Sequence, residues 1–241
     1  MVMTNFIFVL LPAVLAGIVQ GVTGFGSAIV LMVFLPTILP IPQSAGVASL
    51  IMSVSNIMLA WRYRHSIQFK RIIWPFVVYA SVAFMALQLV NSINVHLLKS
   101  MLGGLLVALS LYFLFVKSEG RKHYPIYIAI IFMIVSGFFN GLFGIGGPLM
   151  ALYFLSLADT KEEYLASIQA FFLIDQLYIT SIRFYNGILG LIDVPLILLG
   201  IVGGVIGTMI ANRITVHMNI SMIQKCVFVL IGVSGVFYLV Q

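Results

Sequence analysis

Residues 137–148 read GFFNGLFGIGGP, and residues 17–28 read GIVQGVTGFGSA. Each stretch lies inside an apolar run of more than 30 residues, 124–156 and 6–39. A straight helix of that length would run roughly 50 Å at about 1.5 Å per residue, against about 30 Å for the hydrocarbon core of a bilayer. Glycine in a helix interior is permissive and costs about 1 kcal/mol relative to alanine, so three or four within ten residues predict a break. Pro148 reinforces it in the second stretch. The two runs must therefore fold back, break or cross twice.

The rest of the chain fits that reading. With 62% hydrophobic and 7% charged residues, and a mean hydropathy of +1.19, its 241 residues carry too little polar surface to cover a water-soluble globule. Six further apolar stretches, 44–61, 72–90, 97–116, 164–182, 188–211 and 220–240, have about the length of one membrane-crossing helix. The expected fold is an all-α polytopic membrane protein of about eight transmembrane segments, with the lipid bilayer as its surroundings. The first residues lack the basic start of a cleavable signal peptide. A net charge of +6 does not indicate nucleic acid, because seven of the twelve Lys/Arg fall in two short loops, as cytoplasmic loops do. These are Arg62, Arg64, Lys70 and Arg71, then Lys117, Arg121 and Lys122. Trp61 and Trp74 flank the first loop as interface markers. The single Cys226 rules out a disulfide framework and a cysteine-based metal or redox motif, and no cofactor is called for.

The chain repeats itself. Shifted by 120 residues, Gly17, Gly21, Gly24 and Gly26 fall on Gly137, Gly141, Gly144 and Gly146, Phe34-Leu35 on Phe154-Leu155, and Pro75 on Pro195. At an offset of 121, Asn91, Ile93, Val95 and His96 fall on Asn212, Ile214, Val216 and His217. We read two membrane repeats, 1–120 and 121–241, the architecture of secondary transporters whose halves meet at a midplane site. Charge argues for inversion. Inverted halves leave only Lys99 and Arg183 outside and ten Lys/Arg inside, whereas parallel halves give eight inside and four outside.

A break in hydrocarbon exposes backbone groups that cost several kcal/mol each unless they line a polar cavity. New helix starts offer free N–H groups and the positive end of the helix dipole, a ready anion site. The polar residues beside the breaks are Gln20, Thr23 and Ser27 in the first and Asn140 in the second. With Gly24, Gly26, Gly144, Gly146 and Gly147 they are the substrate-binding candidates, joined by Asn56 and Gln176 on the segments that follow. Asp175, near the centre of 164–182, is the candidate for ion coupling, since an acid at membrane depth costs about 3 kcal/mol on insertion scales. A structural hydrogen-bonded carboxyl is the alternative, and close helix packing through Gly17-xxx-Gly21 and Gly137-xxx-Gly141 is the alternative for the glycines. Ser55 and Asn56 align with Asp175 and Gln176. His96 and His217 read as interfacial, and Arg183 as either a cavity-mouth charge or a helix-end anchor.

The paired motifs GIVQGVTGFGSAIVLMVFLP and SGFFNGLFGIGGPLMALYFL, on a duplicated chain with eight apolar stretches, resemble the TauE/SafE (TSUP) family of sulfite and organosulfonate exporters, over roughly residues 8–240. Ser27 stands where the family often has a further glycine, and Ala28 where proline is expected. The resemblance implies secondary transport of small sulfur-containing anions or related organic acids across a prokaryotic cytoplasmic membrane. No P-loop supports an ATP-driven pump, and the four histidines avoid the apolar middles, against an intramembrane enzyme. A channel and a non-transporting subunit of a larger complex stay open, and the sequence permits a homo-oligomer.

Overall fold

The computed structural model describes residues 6–115, 124–214 and 220–240. Lys117, Arg121, Lys122, His123, Val216 and His217 lie outside these, and the Cys226 side chain lies outside the described side chains. Among the described residues every regular element is helical. The first apolar run becomes a π-helical turn Phe6–Leu10, α1 (Leu11–Thr23) and α2 (Ser27–Phe34). Then follow α3 (Ile41–Arg62), α4 (Phe69–Leu89) and α5 (Val95–Phe115). The second run gives α6 (Ile126–Phe143) and α7 (Gly147–Leu157), followed by α8 (Lys161–Tyr185), α9 (Val194–Ile214) and α10 (Ile220–Val240).

Both long runs break, at glycines 120 residues apart. α1 ends on Gly24, whose φ of 80° is left-handed and whose N–H reaches the Gln20 carbonyl at 2.8 Å; α6 ends on Gly144, with φ 69° and its N–H on the Asn140 carbonyl at 2.8 Å. Glycine enters this region without the Cβ penalty, which is why each helix stops there. α2 and α7, of 8 and 11 residues, span roughly 12 and 17 Å, too short to cross a bilayer. α2 instead packs back on α1 and reaches the Phe6–Leu10 turn.

Among the described residues six helices are long and apolar enough to cross a membrane: α3, α4, α5, α6, α8 and the stretch Leu191–Ala211 around α9. α3 and α8 are the most enclosed of the six, α5 the least. The aromatic pair expected at an interface is exposed, and the Arg64 guanidinium lies 4.8 Å over the Trp61 ring. His96 is exposed as well.

The first two glycines of each set serve packing, and the later ones the break. Gly17 meets the Gly204 carbonyl and Gly21 the Ala211 methyl, bringing α1 against α9; Gly137 meets the Tyr79 carbonyl and Gly141 that of Ala83, bringing α6 against α4. A side chain at any of these four would drive the helices apart. In both pairs residue numbers rise together, so the helices run parallel. Each broken helix thus leans on a helix from the other half of the chain. α3 and α8 run antiparallel, with Ser49 against Arg183 and the earlier Gly46 against Leu189, just past the end of α8. So do α5 and α10, where Gly103 meets Gly235 and the Ser110 hydroxyl donates to the Phe228 carbonyl at 2.7 Å.

Candidate functional site

Where the two breaks approach each other, between α3 and α8, the protein forms a small, partly open cavity of about 50 Å³. Ten of the twelve residues singled out from the sequence line it: Gln20, Gly26, Ser27, Asn56, Asn140, Gly144, Gly146, Gly147, Asp175 and Gln176. Thr23 and Gly24 do not. The Thr23 hydroxyl turns back onto the Val19 and Phe25 carbonyls, at 2.8 and 2.6 Å, and so closes its own turn. Gly24 offers its carbonyl as an acceptor for two amides, Gln169 Nε2 at 2.7 Å and Gln20 Nε2 at 3.2 Å.

The first break is held by neutral amides. Gln20, 1% exposed, places Nε2 2.6 Å from Asn56 Oδ1 and 3.1 Å from Gln169 Oε1, and its Oε1 accepts from the Ser27 hydroxyl at 2.8 Å. Gln20 therefore binds α1 to α2, α3 and α8 at once. Gln169 was not among the expected site residues. Its signal was present, since at an offset of 120 it falls on Ser49, so both halves are polar at that position.

The second break is held by charge. Asn140 Nδ2 donates to both oxygens of Asp175, at 3.0 and 3.1 Å. Arg183 is fully buried rather than at an exposed helix end or a cavity mouth, and it is not among the lining residues. Its Nη2 donates to the Asn140 and Gly141 carbonyls at 3.1 and 3.3 Å, and its Nη1 approaches the Ser49 hydroxyl at 3.4 Å. These carbonyls belong to the last turn of α6, at the negative end of its dipole, where that of Asn140 accepts also from the Gly144 N–H and helix carbonyls run short of backbone partners. A cation there satisfies both demands. The Tyr79 hydroxyl lies against Gly146, so that a methyl group at that glycine would collide with it.

The helix ends at the cavity are thus treated unequally. The carbonyl ends of α1 and α6 are taken up by Gln20, Gln169 and Arg183, whereas no side chain caps the start of α2 or α7. Gly26, Ser27 and Ala28 from one start, and Gly146, Gly147 and Pro148 from the other, line the same space. Unpaired N–H groups with positive dipole ends are what a bound anion requires.

A profile of the sulfite exporter TauE/SafE family matches residues 9–238, which includes both breaks and nearly the whole chain. The chain belongs to the sulfite exporter TauE/SafE family. It matches no curated protein and no solved structure. TauE/SafE proteins are membrane transporters rather than enzymes, and the apolar helices of this member agree with a place in a membrane.

Proposed function

We propose that this TauE/SafE protein is a secondary transporter that carries small anions, sulfite, organosulfonates or related organic acids, across a prokaryotic cytoplasmic membrane, with Asp175 as the proton-coupling group. The observation that carries the reading is the convergence of two uncapped helix starts on one cavity beside a buried carboxyl. The anion sits between the starts of α2 and α7, held by backbone N–H groups. Asn56 spends its carbonyl oxygen on Gln20, which leaves its NH2 group to donate into the cavity. Gln176 Oε1 is buried without a partner, so a rotated Gln176 amide gives a further donor. An ionised Asp175 repels an anion and a protonated one does not, which ties substrate occupancy to the proton.

In this reading residues 1–120 and 121–241 form two inverted repeats. The antiparallel crossings of α3 with α8 and of α5 with α10, equivalent helices in the two halves, support inversion, as does the fold-back of α2 onto α1. A helical pair that returns to its own side leaves three crossings per half, and an odd number inverts the next half. Purified protein in liposomes, given labelled sulfite, sulfoacetate, taurine or simple carboxylates with and without a pH gradient, tests transport. Uptake of at least one of these anions is expected, and no uptake of any under either condition overturns the proposal. A cysteine replacing Gln241 is expected to react with an impermeant reagent from the outside; labelling only from the inside refutes the inverted arrangement.

A further inference from the structure

α8 carries one carboxyl and one guanidinium enclosed by the protein, Asp175 at 4% exposure and Arg183 at 0%. They stand eight residues apart, roughly 12 Å of helix rise. One residue joins them. Asn140 gives its side-chain amide to the Asp175 carboxylate and its backbone carbonyl to the Arg183 guanidinium. The described hydrogen bonds of Arg183 all go to neutral acceptors, Ser49, Asn140 and Gly141, and its Nε is buried without a partner. The positive charge is therefore fixed in place, with its negative counterpart across Asn140.

The other groups around Asp175 leave this balance intact. Tyr79 faces it from α4, and Tyr178 from its own helix. α3 and α7 line the same cavity with Ser49, Asn56, Gly147 and Pro148, which carry no ionisable group. The half-buried Tyr153 of α7 is neutral in its ordinary state, and the Arg64–Ser66 turn that packs on α8 keeps Arg64 and His65 exposed at the protein surface.

A net charge buried in a low-dielectric interior is costly, and a balanced pair far less so. We infer that Arg183 is the fixed counter-charge of the transport cycle: it balances ionised Asp175 in the empty cavity, and when the Asp175 carboxylate takes up one proton it leaves one positive charge, which one bound monoanion cancels. This rests on the proposed function and adds its stoichiometry. The two neutral states are empty with Asp175 ionised, and loaded with Asp175 protonated. The protonated empty state carries +1 and the ionised loaded state −1, and both are disfavoured. One proton and one anion therefore cross together with no net movement of charge. Arg183 acts through the electrostatics of the cavity and is a positioning residue, not a ligand.

The test uses the full chain in liposomes and labelled methanesulfonate, a probe whose single negative charge does not change near neutral pH. Membrane potential is set with potassium and valinomycin, and the pH gradient independently. A potential of about 100 mV acts on each moved charge by roughly fiftyfold at equilibrium. Wild-type accumulation is expected to follow the pH gradient and to change less than about twofold with potential, well inside that fiftyfold range. Asp175→Asn is expected to lose the response to pH and gain one to potential, because its empty form keeps the +1. Arg183→Gln is expected to lower uptake about tenfold or more, with Arg183→Lys restoring part of it together with the insensitivity to potential. Wild-type accumulation that follows potential as strongly as pH, or an Asp175→Asn variant indifferent to potential, overturns the inference while leaving transport itself standing. If Arg183→Gln does not fold, the Asp175→Asn comparison decides alone. A wild type that takes up neither methanesulfonate nor sulfite overturns the proposed function as well.

Discussion

The two breaks share a backbone and differ in chemistry. At each, a helix ends on a left-handed glycine, Gly24 or Gly144, and a shorter helix starts three residues later. The first is stitched by neutral amides, Gln20, Asn56 and Gln169, with the Ser27 hydroxyl; the second by the charges of Asp175 and Arg183 through Asn140. The aligned residues even change partners by one position. Asn56 meets Gln20 in the first half, whereas in the second Asn140 takes Asp175, which aligns with Ser55, and Ser55 itself bonds Thr208 at 2.9 Å. One residue is about 100° on a helix, so the second half turns a different neighbour toward its break. Two breaks of the same backbone form can thus hold a fixed, neutral wall on one side of a cavity and a protonatable one on the other.

That difference can be broken from either side. The largest effect is expected for Arg183→Leu, which strands the carbonyl end of α6 and leaves Asp175 without its counter-charge; such losses cost about 3–5 kcal/mol. Thermal unfolding in detergent should show a large drop, and an unchanged midpoint would mean that the second break is not held by charge. Gly24→Ala forces an alanine into φ 80° and against the Leu165 side chain, at an expected cost of about 1–3 kcal/mol. Gln20→Leu leaves Ser27 and Asn56 without their shared partner, with about 1–3 kcal/mol lost in the same assay. Unlike Arg183→Leu, it should leave the pH dependence of uptake unchanged, which separates the neutral wall from the charged one. The smallest change is expected at Gly104, which has open space around it. Gly104→Ala should be neutral or stabilising by up to about 1 kcal/mol, while the neighbouring Gly103→Ala, facing the Gly235 carbonyl, should destabilise.

Much of this was legible in the residues. Glycine spacing located both breaks, because only a few residues tolerate φ > 0 and a run of more than 30 apolar residues cannot cross as one helix. The offset of 120 that paired Gly24 with Gly144 also pairs the two helix starts, Ser27 and Gly147. Asp175 stood out because an acid is costly at that depth. Other features were hidden by geometry that a linear pattern does not carry. Thr23 is polar and beside the break, yet its hydroxyl is consumed by its own turn. Arg183 is near the end of its apolar stretch, where arginines commonly reach water, but α6 ends beside it and takes its donors instead. That α1 leans on α9, and α6 on α4, follows from contacts far apart in sequence, which periodicity within one helix does not report.

The central claim is that an anion is held between the starts of α2 and α7. It is tested most directly by locating selenite, the selenium counterpart of sulfite, from its anomalous scattering in crystals of the protein. The account predicts one selenium position within the cavity, within hydrogen-bonding reach of the backbone amides at Ser27–Ala28 and Gly147. A selenium bound elsewhere, with the cavity free of it at concentrations that support transport, would contradict it.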